Sequence, residues 1–460
     1  MNFLAELRRD QREAVGLLQI GTFLEYFDLM LYVHMAVLMN EIFFPKTDPH
    51  TAALLAAFAF CSTYVLRPFG ALIFGYIGDT IGRKTTVIIT TTMMSISCII
   101  MANLPTYAQV GITATWLVTA CRIMQGLSSM GEIIGAQIYI TEITKPPARY
   151  PAVAFIGVAS SLGAVAALGV ATLVTTSGFN WRVAFWIGAG VAVVGSIART
   201  RLRETPDFVD KKRQVQKELE EAALQKSKKP ATLLKMKNLL ETKTKEKLNK
   251  KTLLACFFVY CGWPLSFYLA YMYFNPLLMQ KFGYTPEDII FHNLFLSIVV
   301  VINSSLWSWL SFKIHPLLIL KRKAQIFLGL GFCLPVLIPQ ASNPISIFVL
   351  QSFLLSFSIG ANPADSVFIK YFPVFKRFTA TSFLYAASRA MIYIITSFSL
   401  VYLTEWFGQG GLLLVLIPVT LGFLWGVHYF EKLKKPTKNS SGTPTLPLRN
   451  DPTPLIQTLP

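Results

Sequence analysis

Charge is what this 460-residue sequence has least of: Asp, Glu, Lys and Arg together make up 14% of it, where an average soluble domain carries about 25%. With 53% hydrophobic residues as well, a soluble chain of this length would expose more apolar surface than water tolerates. That excludes an ordinary cytosolic enzyme and a disordered protein. Cysteine is scarce too. Cys61, Cys98, Cys121, Cys256, Cys261 and Cys333 all fall in apolar stretches without metal or redox spacing, which excludes a disulfide-framed secreted domain. No nucleophile–base pair, metal cluster or phosphate-binding loop stands out, so neither an enzyme nor a cofactor is expected. A cleavable signal peptide is not evident either, because the first apolar stretch is too long and carries acids.

What is present is long apolar sequence, rich in aromatics, with 35 Phe, 17 Tyr and 8 Trp and a mean hydropathy of +0.51. A transmembrane helix needs about 20 mostly apolar residues to cross a core roughly 30 Å thick. Twelve such stretches are expected, at about 15–40, 51–77, 86–104, 109–140, 151–176, 181–199, 253–280, 289–311, 324–341, 345–369, 379–403 and 410–430. The fold class is therefore an all-α membrane protein with 12 transmembrane helices. An even count places both termini on one side. Arg8, Arg9, Arg12, Arg83, Lys84, Lys145, Arg149, Lys321, Arg322, Lys323, Lys376, Arg377 and Lys432 lie on that side. The opposite loops offer little beyond Lys46, Arg182 and Lys281. The positive-inside rule makes the termini cytoplasmic.

Residues 15–199 and 253–431 read as two six-helix bundles, flanked by a tail at 1–14, a basic linker at 200–252 and a Pro-rich, disordered tail at 432–460. From Arg199 to Lys251 there are 17 basic and 8 acidic residues, half of the net charge of +18. The linker reads as solvated, with amphipathic pieces against anionic lipid headgroups, and no nucleic-acid partner is expected. Six spans, a linker and six spans imply an internal duplication. A short match at an offset of 228 residues supports it: Tyr139-Ile-Thr-Glu142, Pro147 and Arg149 align with Val367-Phe-Ile-Lys370, Phe375 and Arg377.

Ionisable residues at membrane depth cost several kcal/mol unless paired or facing water, so they mark functional candidates. Glu25 and Asp28 share one face of the first span. Arg122 and Glu132 lie on the fourth, with Gln125 and Ser129 between them. Acids on one helix and a guanidinium on another can form a buried pair that a proton or an anionic solute breaks, or a fixed pair that only locks helices together. Tyr26, Tyr32, Tyr268 and Tyr271 are candidate cavity aromatics, able to hold a quaternary ammonium by cation–π attraction. His34 reads as a packed or interfacial residue. Arg67, Asp365, Lys370 and Arg389 carry two readings: Lys370, near a span end, can snorkel, and Arg389 lies deeper and is the better cavity candidate.

The connection after the second span reads Gly75-Tyr-Ile-Gly78-Asp79-Thr-Ile-Gly82-Arg83-Lys84. It resembles the signature loop of the major facilitator superfamily. That resemblance implies two bundles around a central cavity, with Gly78, Asp79, Gly82, Arg83 and Lys84 latching the halves in the outward-facing state and Glu142 as the acidic partner. Gly21-Thr-Phe-Leu-Glu25-Tyr-Phe-Asp28 with Tyr32, Phe43-Phe44-Pro45, Arg67-Pro68-Phe-Gly70, Arg122-Ile-Met-Gln125-Gly126, Gly131-Glu132, Trp181-Arg182 and Arg203-Glu-Thr-Pro-Asp-Phe208 are similar to the metabolite:proton symporter family. Its members carry proline/betaine, 2-oxoglutarate, citrate or shikimate. The second half matches chiefly at Phe372-Pro373 and Arg377.

Three departures qualify the match. The second copy of the loop reads Ser308-Trp-Leu-Ser-Phe-Lys-Ile-His315 and lacks the Asp and Gly-Arg core; Met130-Gly131 stands where the family has two glycines; and the tail lacks coiled-coil heptads. A weak second half of the latch is expected, and no osmosensory role. The fifth span has Gly157, Gly163 and Gly169 without the proline-containing motif of drug antiporters, which favours uptake. The expected function is a monomeric importer of a small polar organic solute, zwitterion or carboxylate, with protons, in a bacterial inner membrane. Glu25, Asp28, Arg122, Glu132, Arg389, Tyr26 and Tyr32 are the expected coupling and solute residues. An uncoupled facilitator or exchanger, or a non-transporting receptor on the same fold, stands as the alternative.

Overall fold

A computed structural model describes residues 3–34, 39, 42–43, 49–176, 180–200, 202, 204–224 and 248–434. Every regular element among them is a helix. The first half of the chain forms α1 (Arg9–His34), α2 (Pro49–Thr80), α3 (Arg83–Asn103), α4 (Ile112–Ile143), α5 (Arg149–Thr176) and α6 (Trp181–Arg199), followed by the linker helix α7 (Pro206–Leu224). The second half opens with α8 (Lys250–Tyr260), α9 (Gly262–Phe267), a π-helical turn (Tyr268–Tyr273) and α10 (Phe274–Phe282). Then come α11 (Pro286–Leu310), α12 (Pro316–Gln340), α13 (Pro344–Ser356), α14 (Asp365–Lys370), α15 (Val374–Phe407) and α16 (Gly411–Lys434).

Among the described residues, six segments are long and apolar enough to cross a membrane: Arg83–Asn103, Arg149–Val174, Lys250–Phe282, Asp288–Leu310, Val374–Ser397 and Tyr402–Lys434. Two of the twelve expected spans are not single helices. The one at 253–280 breaks at Cys261 and then passes through the π turn; the one at 345–369 unwinds over 357–364. The two breaks face each other. Gly262 lies against the backbone of Ile359, where a Cβ would come within 3.0 Å of its carbonyl. Ser266 Oγ accepts from the Ile359 N–H at 3.2 Å, so the side chain of one interrupted helix supplies a partner that the unwound stretch of the other has lost.

Helix ends follow the local sequence. Thr285 and Asp288 form a reciprocal capping box ahead of α11, with Pro286 in the first turn. Asn343 caps α13 through Ser346 N. Gly283 ends α10 at a φ of 68°, a conformation that L side chains rarely adopt.

The outer surface is apolar, with Trp116, Ile345 and Trp406 about 70% exposed (69%, 71% and 71%). That is the face a helix presents to lipid. Inside, one core runs through both halves, including Val87, Ile134, Tyr260, Phe368 and Phe378. A second, around Phe43, Trp181 and Phe185, belongs to the first half. The halves meet where α2 packs on α15 and α5 on α11. Within the first half α1 packs on α5, so closely that a Cβ on Gly163 would collide with the Phe23 carbonyl. Gly169, one and a half turns on, faces open space.

Replacing Gly163 with valine should therefore destabilise the fold by about 1–3 kcal/mol, read as a lower melting temperature of the purified protein. Gly169→Ala should leave the melting temperature unchanged or raise it, since alanine is the better helix former.

Candidate functional site

Two groups of polar residues lie at the seam between the halves. The first sits at mid-helix and draws on both. Helix α1 supplies Glu25, 4% exposed, and Tyr26; α2 supplies Tyr64 and Arg67. From the second half come Tyr260 on α8, Asp365 at the start of α14, and Tyr385, Arg389 and Tyr393 on α15. The last three are four residues apart, which stacks them on one face of their helix.

Aromatic rings line the space between the charges. The Arg389 guanidinium lies over the Tyr385 ring at 3.3 Å from its centroid, and Arg67 over Tyr64 at 4.4 Å. Tyr385 meets Tyr260 edge-on at 5.5 Å, and Tyr64 meets Tyr393 across the seam at 4.5 Å. Tyr26 lies within electrostatic reach of Tyr385, Glu25, Arg389 and Arg67. Arg67 Nε is buried without a hydrogen-bond partner among the described residues. Two guanidiniums, two acids and several tyrosines are thus linked by pairwise contacts at the seam, a set able to hold both ends of a small charged solute.

The second group closes one end of the seam. Asp79, at the end of α2, accepts from the backbone N–H groups of Phe378 and Thr379 on α15, at 3.0 and 2.8 Å. Arg83 is fully buried. It donates to the carbonyls of Gly78 and Val374 at 2.5 and 2.6 Å, and pairs with Asp79 at 3.5 Å and Glu142 at 3.3 Å. Arg377, on α15, reaches the same Glu142 oxygen at 2.6 Å. Thr205 Oγ1 donates to the other oxygen at 2.6 Å.

The loop glycines have a physical reason here. A Cβ on Gly75 would lie 2.6 Å from Thr379 Cα, and one on Gly78 2.5 Å from the Phe378 ring; only glycine lets α15 come this close. Gly82, at a φ of 155°, has the Glu204 carboxylate against it.

The segment after α6 is a third party to this closure. Glu204 accepts from the N–H groups of Arg83 and Lys84 at 3.0 and 3.3 Å, at the N-terminus of α3 where an anion is favoured. Asp207 pairs with Lys370 at 2.8 Å and Arg377 at 3.4 Å, both from the second half. Phe208 lies under the Arg83 guanidinium at 4.7 Å and edge-on to Phe375 at 6.0 Å.

The symmetry-related seam is different. Ser308 is buried, and the His315 ring meets Tyr150 of α5 at 5.6 Å. His315 Nδ1 accepts from Leu317 N at 3.3 Å and so caps α12. Burial, then the nearby Lys434, hold its pKa below 6.5, against the pull of Glu431.

Among the residues singled out in the sequence, Glu25, Tyr26 and Arg389 come together, as do Gly78, Asp79, Gly82, Arg83 and Glu142. Lys84 takes part through its backbone only. Arg122 bonds along its own helix, to Gln125 Oε1 at 3.1 Å, and Gln125 turns to the sulfurs of Cys98 and Met101 on α3. The side chains of Asp28, Tyr32, His34, Cys61 and Glu132 lie outside the described residues, as do Phe44, Pro45, Arg203, 225–247 and 435–460. Tyr271 bonds to Ser297 at 3.2 Å, inside the second half. Lys370 is an ion-pair partner rather than a snorkelling end residue. Tyr64, Tyr260, Tyr385 and Tyr393 went unread. For the α15 pair the i, i+4, i+8 spacing around Arg389 was the available signal. The acids Glu204 and Asp207 were visible only as members of a motif.

The sequence profile of the Major Facilitator Superfamily matches residues 18–364. A proline/betaine transporter of Salmonella typhimurium is 30% identical over 302 residues, covering 64% of this chain and 57% of that protein. The inner membrane metabolite transport protein YhjE of Escherichia coli is 36% identical over 197 residues, covering 41% of this chain and 45% of that protein. The chain thus spans about half the length of these curated relatives. Among solved structures, the proton:xylose symporter XylE bound to 6-bromo-6-deoxy-D-glucose superposes with a TM-score of 0.71 at 14% identity, over 92% of this chain and 95% of that one.

Glu142→Gln should strand two buried guanidiniums and weaken the closed seam by about 3–5 kcal/mol. Asp207→Asn should cost far less, because that side chain is 30% exposed. Thiol labelling of a cysteine placed at buried Thr141, with the native cysteines replaced, should rise steeply in the first variant and slightly in the second. His315 adds a pH dependence. A histidine with a lowered pKa stabilises the fold fully above 6.5 and loses that contribution as pH falls through the lowered value. Labelling should therefore increase on acidification, and His315→Asn, which can still cap, should flatten the response.

Proposed function

The chain belongs to the Major Facilitator Superfamily, a family of transporters rather than enzymes, and from that membership we propose that it imports a small polar organic solute together with protons by alternating access. The reading rests on one observation above the others. The buried Arg67, Arg389, Glu25 and tyrosine cluster lies on the seam between the halves, and that seam is closed at one end by the Asp79–Arg83–Glu142–Arg377 network. A solute held at the seam is exchanged between the two sides as the halves rock about it.

In this reading the closed end is cytoplasmic, the twelve spans form bundles at 15–199 and 253–431, and the protein works as a monomer in the inner membrane of a bacterium. Arg67 and Arg389 take a carboxylate; the tyrosine faces and the acids take a cationic group. Glu25, with Asp28 and Glu132, couples protons, and Arg122 steadies the first-half wall. A zwitterion such as proline or betaine fits this set best, and the names of the relatives point the same way. A carboxylate is the second choice.

The test is uptake into liposomes under an imposed inward proton gradient, with labelled proline, betaine, 2-oxoglutarate, citrate and shikimate. Accumulation of one of them should collapse with an uncoupler and in Glu25→Gln. Uptake indifferent to the gradient would leave a facilitator, and the absence of flux for every solute would favour a receptor.

A further inference from the structure

Asp365 is the acid of the central cluster that stands in the second half. It is 3% exposed and begins α14, immediately after the unwound stretch 357–364. The described groups that act on it electrostatically are Arg389 of α15 and Cys256 and Tyr260 of α8. Helices α4 and α5 also pack on α14: Arg149 of α5 acts on Lys370 at its opposite end, Glu142 of α4 is held by Arg83 and Arg377, Arg122 of α4 bonds to Gln125, and the Glu132 side chain lies outside the described residues. Arg389 is thus the cation facing Asp365 among the described residues. Yet the two do not close to an ion pair: the Arg389 guanidinium rests on the Tyr385 ring and donates to the Tyr385 carbonyl at 3.3 Å. It keeps the rest of its fork for another acceptor.

The stretch just before Asp365 touches the other half of the molecule. Asn362 Nδ2 donates to the Ala154 carbonyl of α5 at 3.2 Å, over Gly157, where a Cβ would lie 2.5 Å from that nitrogen. Rocking of the halves therefore pulls on the backbone that carries the carboxylate.

We infer that Asp365 is a proton-carrying residue of the second half, and that a solute carboxylate competes with it for Arg389. The inference rests on the transport reading above. When the solute carboxylate settles on Arg389, it neutralises the cation that compensates Asp365. A buried carboxylate without compensation is costly, so Asp365 takes a proton from the open aqueous side. One O–H bond forms and no other bond changes. On the far side the solute leaves Arg389, the guanidinium field returns and the proton dissociates. By linkage, protonation of Asp365 strengthens solute binding by the same factor.

The test is proton uptake on solute binding, followed with a pH dye in weakly buffered detergent solution, using whichever of the five labelled compounds the unmutated protein accumulates. The unmutated protein should take up protons as it binds, and gradient-driven accumulation should follow. Asp365→Asn should bind the same compound with no proton uptake, and its accumulation should be lost. Asp365→Glu, which keeps the carboxyl, should retain proton uptake with a shifted pH midpoint; it also serves if the Asn variant fails to fold. Proton uptake surviving in Asp365→Asn overturns the assignment, and its loss in Glu25→Gln alone transfers the role to the first half. An unmutated protein that binds without taking up protons fails the proton-coupling reading itself, and this inference with it.

Discussion

The carboxylate of Glu142 is shared by three groups from three parts of the chain: Arg83 beside the α2–α3 turn, Arg377 on α15 and Thr205 in the linker. The carboxylate, both guanidiniums and the Thr205 hydroxyl are all buried. A buried ion pair adds little stability over apolar residues of the same shape, but losing one member strands the rest. Such a knot is suited to being wholly made or wholly broken, and poorly suited to intermediate states. The close fit of Gly75 and Gly78 against α15 is held by this knot together with Asp79, which accepts from the Phe378 and Thr379 N–H groups.

The central cluster depends in turn on that closure. With one end of the seam sealed, Glu25, Arg67, Asp365 and Arg389 are buried, in a medium where a charge is felt more strongly than in water. The two guanidiniums share one arrangement. Arg67 and Arg389 lie on tyrosine faces, which compensate a cation partially and leave its hydrogen-bond donors for something else. Cations held this way are steady in position and still receptive to a carboxylate.

The sequence made the all-helical class and the latch legible, since apolar length and glycine spacing are local signals. It made the central cluster only partly legible. Glu25 and Arg389 stood out as charges in apolar surroundings, whereas Tyr64, Tyr260, Tyr385 and Tyr393 did not, because a tyrosine in a membrane helix is ordinary until its neighbours are known. The breaks at Cys261 and over 357–364 were also hidden. Apolar length passes over them, although local breakers stand at both: Gly262 and Pro264 at the first, Gly360, Asn362 and Pro363 at the second. Of the stripe from Arg122 to Ser129, Gln125 turns to Cys98 and Met101 of α3 in the same half.

The repeat has a sign reversal in it. Arg149 and Arg377 occupy matching places, 228 residues apart, and each holds the carbonyl five residues before it, Thr144 and Phe372. Their neighbours do not match: Glu142 in one copy is Lys370 in the other. One crossing of the pseudo-twofold axis therefore joins an acid to an arginine, while its mirror sets a lysine near an arginine, and Asp207 from the linker stands between the halves to offset that repulsion. Such halves have ceased to be interchangeable. Two copies of the second would repel at both crossings, so the covalent join does more than keep partners together: it fixes their pairing as unlike with unlike, and carries within itself the counter-charge that pairing requires.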